Sequence, residues 1–148
     1  MRYFLDTNIL LHYLRGTELS TRIDQQYSPL DSTINEAIIS VVNVGEIRAI
    51  AKMNHWGQRR MEKIDLLFEE LLITDINTED LIERYAEIDA FSHDKIIGKS
   101  LGRSARNMGK NDLWIAATAS ILNATLLTTD QDFNHLHSEY LNLEFIRV

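Results

Sequence analysis

The chain has 148 residues and a net charge of −7; it is 45% hydrophobic and 25% charged, and it has no cysteine. That length fits one domain, 1–148, with a single core, and the composition excludes a mainly disordered chain. Without cysteine there is no disulfide framework, no thiolate metal site and no cysteine nucleophile.

Residues 2–5 read as a short buried strand. Thr7 or Asn8 caps a helix running to Arg15, with Ile9, Leu10, Tyr13 and Leu14 on its inner side, and Gly16 stops it. A second helix covers 18–28 and ends at Ser28-Pro29. Residues 37–40 form a second strand. Ser40 opens a helix in which Val41, Val44, Ile47 and Ala51 recur at helical spacing. Beyond Gly57 a helix over 58–72 carries the stripe Met61, Ile64, Leu67, Phe68 and Leu71. Residues 72–76 are a strand. Thr78 starts a helix continued by Leu81, Ile82, Tyr85, Ile88 and Ala90. Residues 93–111 read as an irregular connection with some helix. A helix over 112–123, a strand over 125–129, a short helix over 132–137 and a strand over 143–148 complete the chain. Strands alternating with helices predict a three-layer α/β/α domain with a mainly parallel central sheet.

Four acids stand where these elements begin or end. Asp6 closes the first strand, Glu46 lies about one turn into the helix after the second, Asp112 opens a helix, and Asp130 closes the strand before it. In an open parallel sheet, functional groups collect beyond the carboxyl ends of the strands. Carboxylates gathered there repel one another, and hard divalent cations, which take oxygen ligands, remove that conflict. Singly, each acid has a plain structural explanation: a cap or turn for Asp6 and Asp130, a solvated helix face for Glu46, a helix-dipole preference for Asp112.

The surrounding residues carry a resemblance. Phe4-Leu5-Asp6-Thr7-Asn8-Ile9 resembles the opening motif of PIN-domain ribonucleases. Ser40-Val41-Val42-Asn43-Val44-Gly45-Glu46-Ile47 resembles their second motif. Gly109-Lys110-Asn111-Asp112-Leu113-Trp114 is similar to their third, and Leu127-Thr128-Thr129-Asp130-Gln131-Asp132 to their fourth. All four occur in family order, and the single-domain layout is most similar to the VapC-type toxins of bacterial toxin–antitoxin pairs. The resemblance implies that Asp6, Glu46, Asp112 and Asp130 are catalytic, metal-binding acids. It implies that Thr7, Asn8, Asn111 and Thr128 or Thr129 orient them. Asp132 is either an accessory acid near the metals or only a helix cap. The implied activity is Mg²⁺- or Mn²⁺-dependent endoribonuclease cleavage, leaving a 5′-phosphate and a 3′-hydroxyl. The implied partners are an RNA substrate, a neutralising antitoxin and a second copy in a homodimer. The helix pair around 41–72 is one place for antitoxin docking.

The acidic balance argues against a nonspecific nucleic-acid binder, so local basic patches matter more than the sum. Lys99, Arg103, Arg106 and Lys110 lead into the third motif and are the expected RNA contacts. Arg48, Lys52, His55, Arg59 and Arg60 form a second basic group around Gly57, open to RNA contact or plain surface. The histidines show no zinc spacing, and the pair His135 and His137, which could bind a metal, reads as surface. No apolar run approaches the ~20 residues that span a bilayer, and Asp6 comes too soon for a signal peptide. A cytoplasmic protein with no membrane partner is expected. Two other functions compete. A Rossmann-like phosphatase or nucleotide binder lacks its glycine-rich loop and its Asp-x-Asp-x-Thr motif. A catalytically idle PIN-like interaction module would have no use for intact acids.

Overall fold

A computed structural model describes residues 1–148. In chain order its elements are β1 (Arg2–Leu5), α1 (Thr7–Arg15), α2 (Glu18–Gln26), β2 (Glu36–Ser40), α3 (Val41–Met53) and α4 (Gln58–Glu69). They continue with β3 (Leu72–Thr74), α5 (Glu79–Ser92), α6 (Lys110–Ile121), β4 (Thr125–Thr128), a 3-10 turn (Gln131–Leu136) and β5 (Asn142–Phe145). The strands form one sheet in the order β3-β2-β1-β4-β5, and every pairing is parallel. The expected mainly parallel sheet is therefore wholly parallel.

The period-2 geometry of a strand sends alternate side chains to opposite faces. Phe4, Ile38 and Leu126 enter one core, closed by α5 and α6 residues such as Ile88, Phe91 and Ile115. Leu5, Ile39 and Leu127 enter the other, with Ile9 and Leu10 of α1, Ile47 of α3 and Ile64 of α4. Both faces of the sheet are thus covered, which is why its central strands are unbroken apolar runs. Each of these large side chains contributes about 1.5–3 kcal/mol on full burial.

β1 and β4 lie side by side at the centre of the sheet and end in register, Leu5 opposite Leu127. The acids Asp6 and Asp130 follow these two ends closely. Gly16 ends α1 in the left-handed region at φ 62, and its N–H donates to the Tyr13 carbonyl.

Several local expectations are corrected. The cap of α1 is Asp6 itself, whose side chain accepts from the Thr7 N–H, rather than Thr7 or Asn8. α2 stops at Gln26, before Ser28 takes a positive φ of 47. Val41 and Ile82, expected on inner stripes, are exposed. Residues 94–109 contain no helix, and α6 begins at Lys110, two residues before Asp112. That connection is nonetheless anchored. Leu101 and Met108 are buried in the core, the Arg106 N–H donates to the Ser92 carbonyl, and the Leu101 N–H donates to Asp94 Oδ1.

Candidate active site

The carboxyl edge of the sheet brings the acids together in two sets of different character. The first surrounds Asp6, which is only 4% exposed. Its Oδ1 accepts from the Thr7 N–H at 2.8 Å, and its Oδ2 accepts from Thr128 Oγ1 at 2.6 Å. Thr7 Oγ1 donates to Glu46 Oε1 at 2.9 Å and accepts from Asn43 Nδ2 at 3.0 Å. Asn43 also accepts the Ser40 N–H at 2.8 Å, forming a capping box at the start of α3. One chain of hydrogen bonds therefore joins β1, α1, α3 and β4, and it fixes two carboxylates.

The second set lies on α6 and the 3-10 turn. Asp112, Asp130 and Asp132 each present a carboxylate oxygen, and these atoms all lie within 4.8 Å of one another. The Asp130 N–H donates to Thr128 Oγ1 at 3.0 Å, and its Oδ1 accepts the Asp132 N–H at 2.8 Å. Asp130, not Asp132, caps the turn. Asp132 is exposed and completes the trio. No lysine or arginine forms an ion pair with any of the five acids.

The electrostatic consequence is large. Burial pushes the Asp6 carboxyl up to about 6; the hydrogen bonds from Thr128 and Thr7 pull it back, and the charges of Glu46 and Asp130 add to the rise. Burial also pushes Asp112 up to about 7, aided by the charges of Asp6, Asp130, Glu46 and Asp132. Like charges held this close resist ionising together. The all-oxygen trio, with no cation of its own, is the donor set that a hard divalent ion takes.

The other residues singled out from the sequence divide. Thr7 and Thr128, rather than Thr129, bond to the acids. Asn8 and Asn111 are exposed and give no hydrogen bond to a carboxylate; Asn111 lines a shallow groove along α3 with Val42, Glu46 and Ile50. Arg103 and Lys110 are exposed and Arg106 is half-buried. Lys99 is occupied within the fold, 3.6 Å from Glu139 Oε2 and 4.3 Å from the Tyr140 ring centre. His135 is buried, not at the surface: its Nε2 lies 2.8 Å from Ser92 Oγ. Burial, then the charges of Arg106 and Arg103, lower its pKa, so the basic connection passes close to the turn carrying Asp132. Asn43, fully buried at the centre of the network, was not singled out from the sequence. Its signal was its place inside the second motif, three residues after the helix-capping Ser40.

A parallel three-layer sheet with carboxylates beyond the ends of its central strands defines an α/β domain of the acidic-site class. The PIN domain profile matches residues 3–138, and the chain belongs to the PIN domain family. No curated protein matches it. Among solved structures it is similar to a chain of VapBC2 from Rickettsia felis bound to a promoter DNA fragment, with TM-score 0.78, 24% identity and 98% of each chain covered. It is also similar to VapBC-1 from nontypeable Haemophilus influenzae, with TM-score 0.70, 23% identity and 98% of each chain covered. FitAcB from Neisseria gonorrhoeae gives TM-score 0.69 and 19% identity over 97% of this chain and 96% of that one. At these identities the likeness establishes the fold.

Proposed function

We propose that this chain is a metal-dependent endoribonuclease, the toxin of a VapC-type toxin–antitoxin pair. The observation that carries the reading is the carboxylate trio Asp112, Asp130 and Asp132, which has no lysine or arginine ion-pair partner and feels the charges of Asp6 and Glu46. A phosphodiester is anionic and cannot approach these acids unless their charge is offset. Asp112, Asp130 and Asp132, with Asp6 and Glu46 completing the set, would hold Mg²⁺ or Mn²⁺. When bound, the ion supplies a water deprotonated near neutral pH and stabilises charge on the phosphoryl oxygens. The chain's own part is positional. Thr128 and Thr7 hold the Asp6 and Glu46 carboxylates in one orientation, and Asn43 holds Thr7. Arg103, Arg106 and Lys110 would receive flanking phosphates, while Lys99 is committed to Glu139 and Tyr140.

The reading includes a cognate antitoxin, a homodimer and a cytoplasmic setting. The similar structures are of VapBC2, VapBC-1 and FitAcB, which supports an antitoxin partner. A groove lined by Tyr13, Leu14, Leu66 and Leu67 between α1 and α4 supplies apolar surface for it. No helix is long and apolar enough to cross a membrane.

The test is cleavage of cellular RNA by the purified chain with Mg²⁺ or Mn²⁺. Asp112→Asn should lower the rate by a factor on the order of 10²–10³, the loss typical when one preorganised electrostatic group is removed, while RNA binding without metal persists. If the unmodified chain cuts no RNA with either ion, the idle interaction module becomes the better reading.

A further inference from the structure

A second charged feature lies at the far end of the helices that start at the acidic site. α1 leaves Asp6 and runs nine residues to Arg15, about 13 Å at ~1.5 Å per residue. α3 leaves Ser40 and runs 13 residues to Met53, about 20 Å by the same rise. Between these far ends and the start of α4 is a cavity of about 680 Å³. Arg15, Arg59, Arg60 and Lys63 line it around Leu14 and Trp56, and no carboxylate does. None of the four cations has an ion-pair partner. The Arg60 guanidinium lies 5.4 Å from the Trp56 ring centre. In a chain of net charge −7, four exposed cations around one cavity make a local basic patch that attracts anions. Arg59 and Arg60 also occupy the first turn of α4, where the helix dipole disfavours cations.

We infer that this cavity is a second RNA subsite, gripping the backbone of single-stranded RNA at a distance from the acids. The inference rests on the ribonuclease reading for the identity of the polyanion. Two features favour RNA over an acidic peptide. The half-buried Trp56 ring, with Arg60 5.4 Å from its centre, offers a face to a base, and base–aromatic stacking is tolerant of sequence. The separation of about 13–20 Å derived above is within the reach of a short extended strand, so one strand can reach both places.

The test measures binding of 4-nucleotide and 16-nucleotide uridylate RNAs in EDTA, where no cutting occurs, across a range of salt. The comparison is the unmodified chain against Arg59→Gln/Arg60→Gln/Lys63→Gln; all three positions are exposed, and matched melting curves check the fold. The variant should bind the 16-mer about tenfold more weakly. Its salt slope should be shallower by about two, at ~0.7 for each of three lost phosphate contacts. The 4-mer should lose less, because it can still bind the basic connection and is too short to hold both places at once. In a Trp114→Phe background, Trp56 emission should be quenched by the 16-mer. An unchanged 16-mer slope, equal losses for both lengths, or no RNA binding by the unmodified chain would each overturn the subsite. So would a variant that keeps RNA but loses an acidic protein partner. The nuclease reading fails separately: length-dependent binding with no cutting under Mg²⁺ or Mn²⁺ would remove the enzyme and leave the subsite.

Discussion

The Asp6 set and the Asp112 set occupy one edge of one sheet, yet they are built differently. Asp6 and Glu46 are held by protein donors: Thr128, the Thr7 backbone and the Thr7 hydroxyl. Asp112, Asp130 and Asp132 face one another; one backbone N–H, that of Asp132, donates to a carboxylate of the trio, and no lysine or arginine forms an ion pair with it. A carboxylate satisfied by the fold can help to hold that fold together. A cluster left unsatisfied strains it, and that strain is relieved by something from outside. Under the proposed function, the first set is the pre-oriented part of the ion site and the second is the part that most needs an ion.

Thr128→Val gives the largest expected effect among variants that leave every acid in place. It removes the donor to Asp6 Oδ2 and the acceptor of the Asp130 N–H, the one hydroxyl linking both sets. Loss of such an orienting contact lowers metal affinity about 10- to 100-fold, and the buried unpaired groups cost about 1–3 kcal/mol of stability. Calorimetric Mn²⁺ titration and denaturant unfolding measure the two. Weakened metal binding without any loss of stability would contradict a network that holds the fold.

An intermediate effect concerns pH. Asp6 and Asp112 bind protons more readily when folded, at about 6 and about 7, than at the ordinary value of 3.8. The folded chain therefore takes up protons that the unfolded chain does not, and stability without metal falls as pH rises from about 4 to about 7. Mg²⁺ at neutral pH should restore it by binding only the folded state. A rise in melting temperature of at least ~3 °C is expected, the shift that about 1 kcal/mol produces in a domain of this size. Asp112→Asn should raise metal-free stability at pH 7.5 more than Asp6→Asn, because only Asp6 is held by several protein donors. Equal gains would erase the distinction between the two sets.

The smallest expected effect separates the cations of the basic connection. Arg103→Gln/Arg106→Gln should make the salt slope of RNA binding shallower by about 1.4, at ~0.7 per contact. Lys99→Gln should leave the slope unchanged, because its charge is spent on Glu139 and the Tyr140 ring. Fluorescence anisotropy with labelled RNA reads both.

Much of this arrangement was legible in the sequence because it is local. The unbroken apolar runs of β1, β2 and β4, the stop at Gly16 and the acids at element ends are all written in neighbouring residues. What escaped is made by contacts distant in the chain. Thr128 reaches Asp6 across 122 positions, and Asn43 reaches Thr7 across 36. Local spacing offered a choice between Thr128 and Thr129, and only the pairing of β4 with β1 resolves it. Asp132 read equally well as a cap, until the 3-10 turn gave the cap to Asp130 and set Asp132 beside Asp112 and Asp130. His135 looked like surface because its partner, Ser92, lies 43 residues away on α5. The contact of Lys99 with Glu139 was hidden for the same reason, its partner lying far along the chain.

The central claim, that the unsatisfied trio captures a divalent ion, is tested most directly by anomalous diffraction from crystals soaked in Mn²⁺. The account predicts one strong anomalous peak bonded to oxygens of Asp112, Asp130 and Asp132, absent from Asp112→Asn crystals soaked in the same way. A crystal with all three carboxylates ordered and no peak between them, or with Mn²⁺ bound only elsewhere, would contradict it.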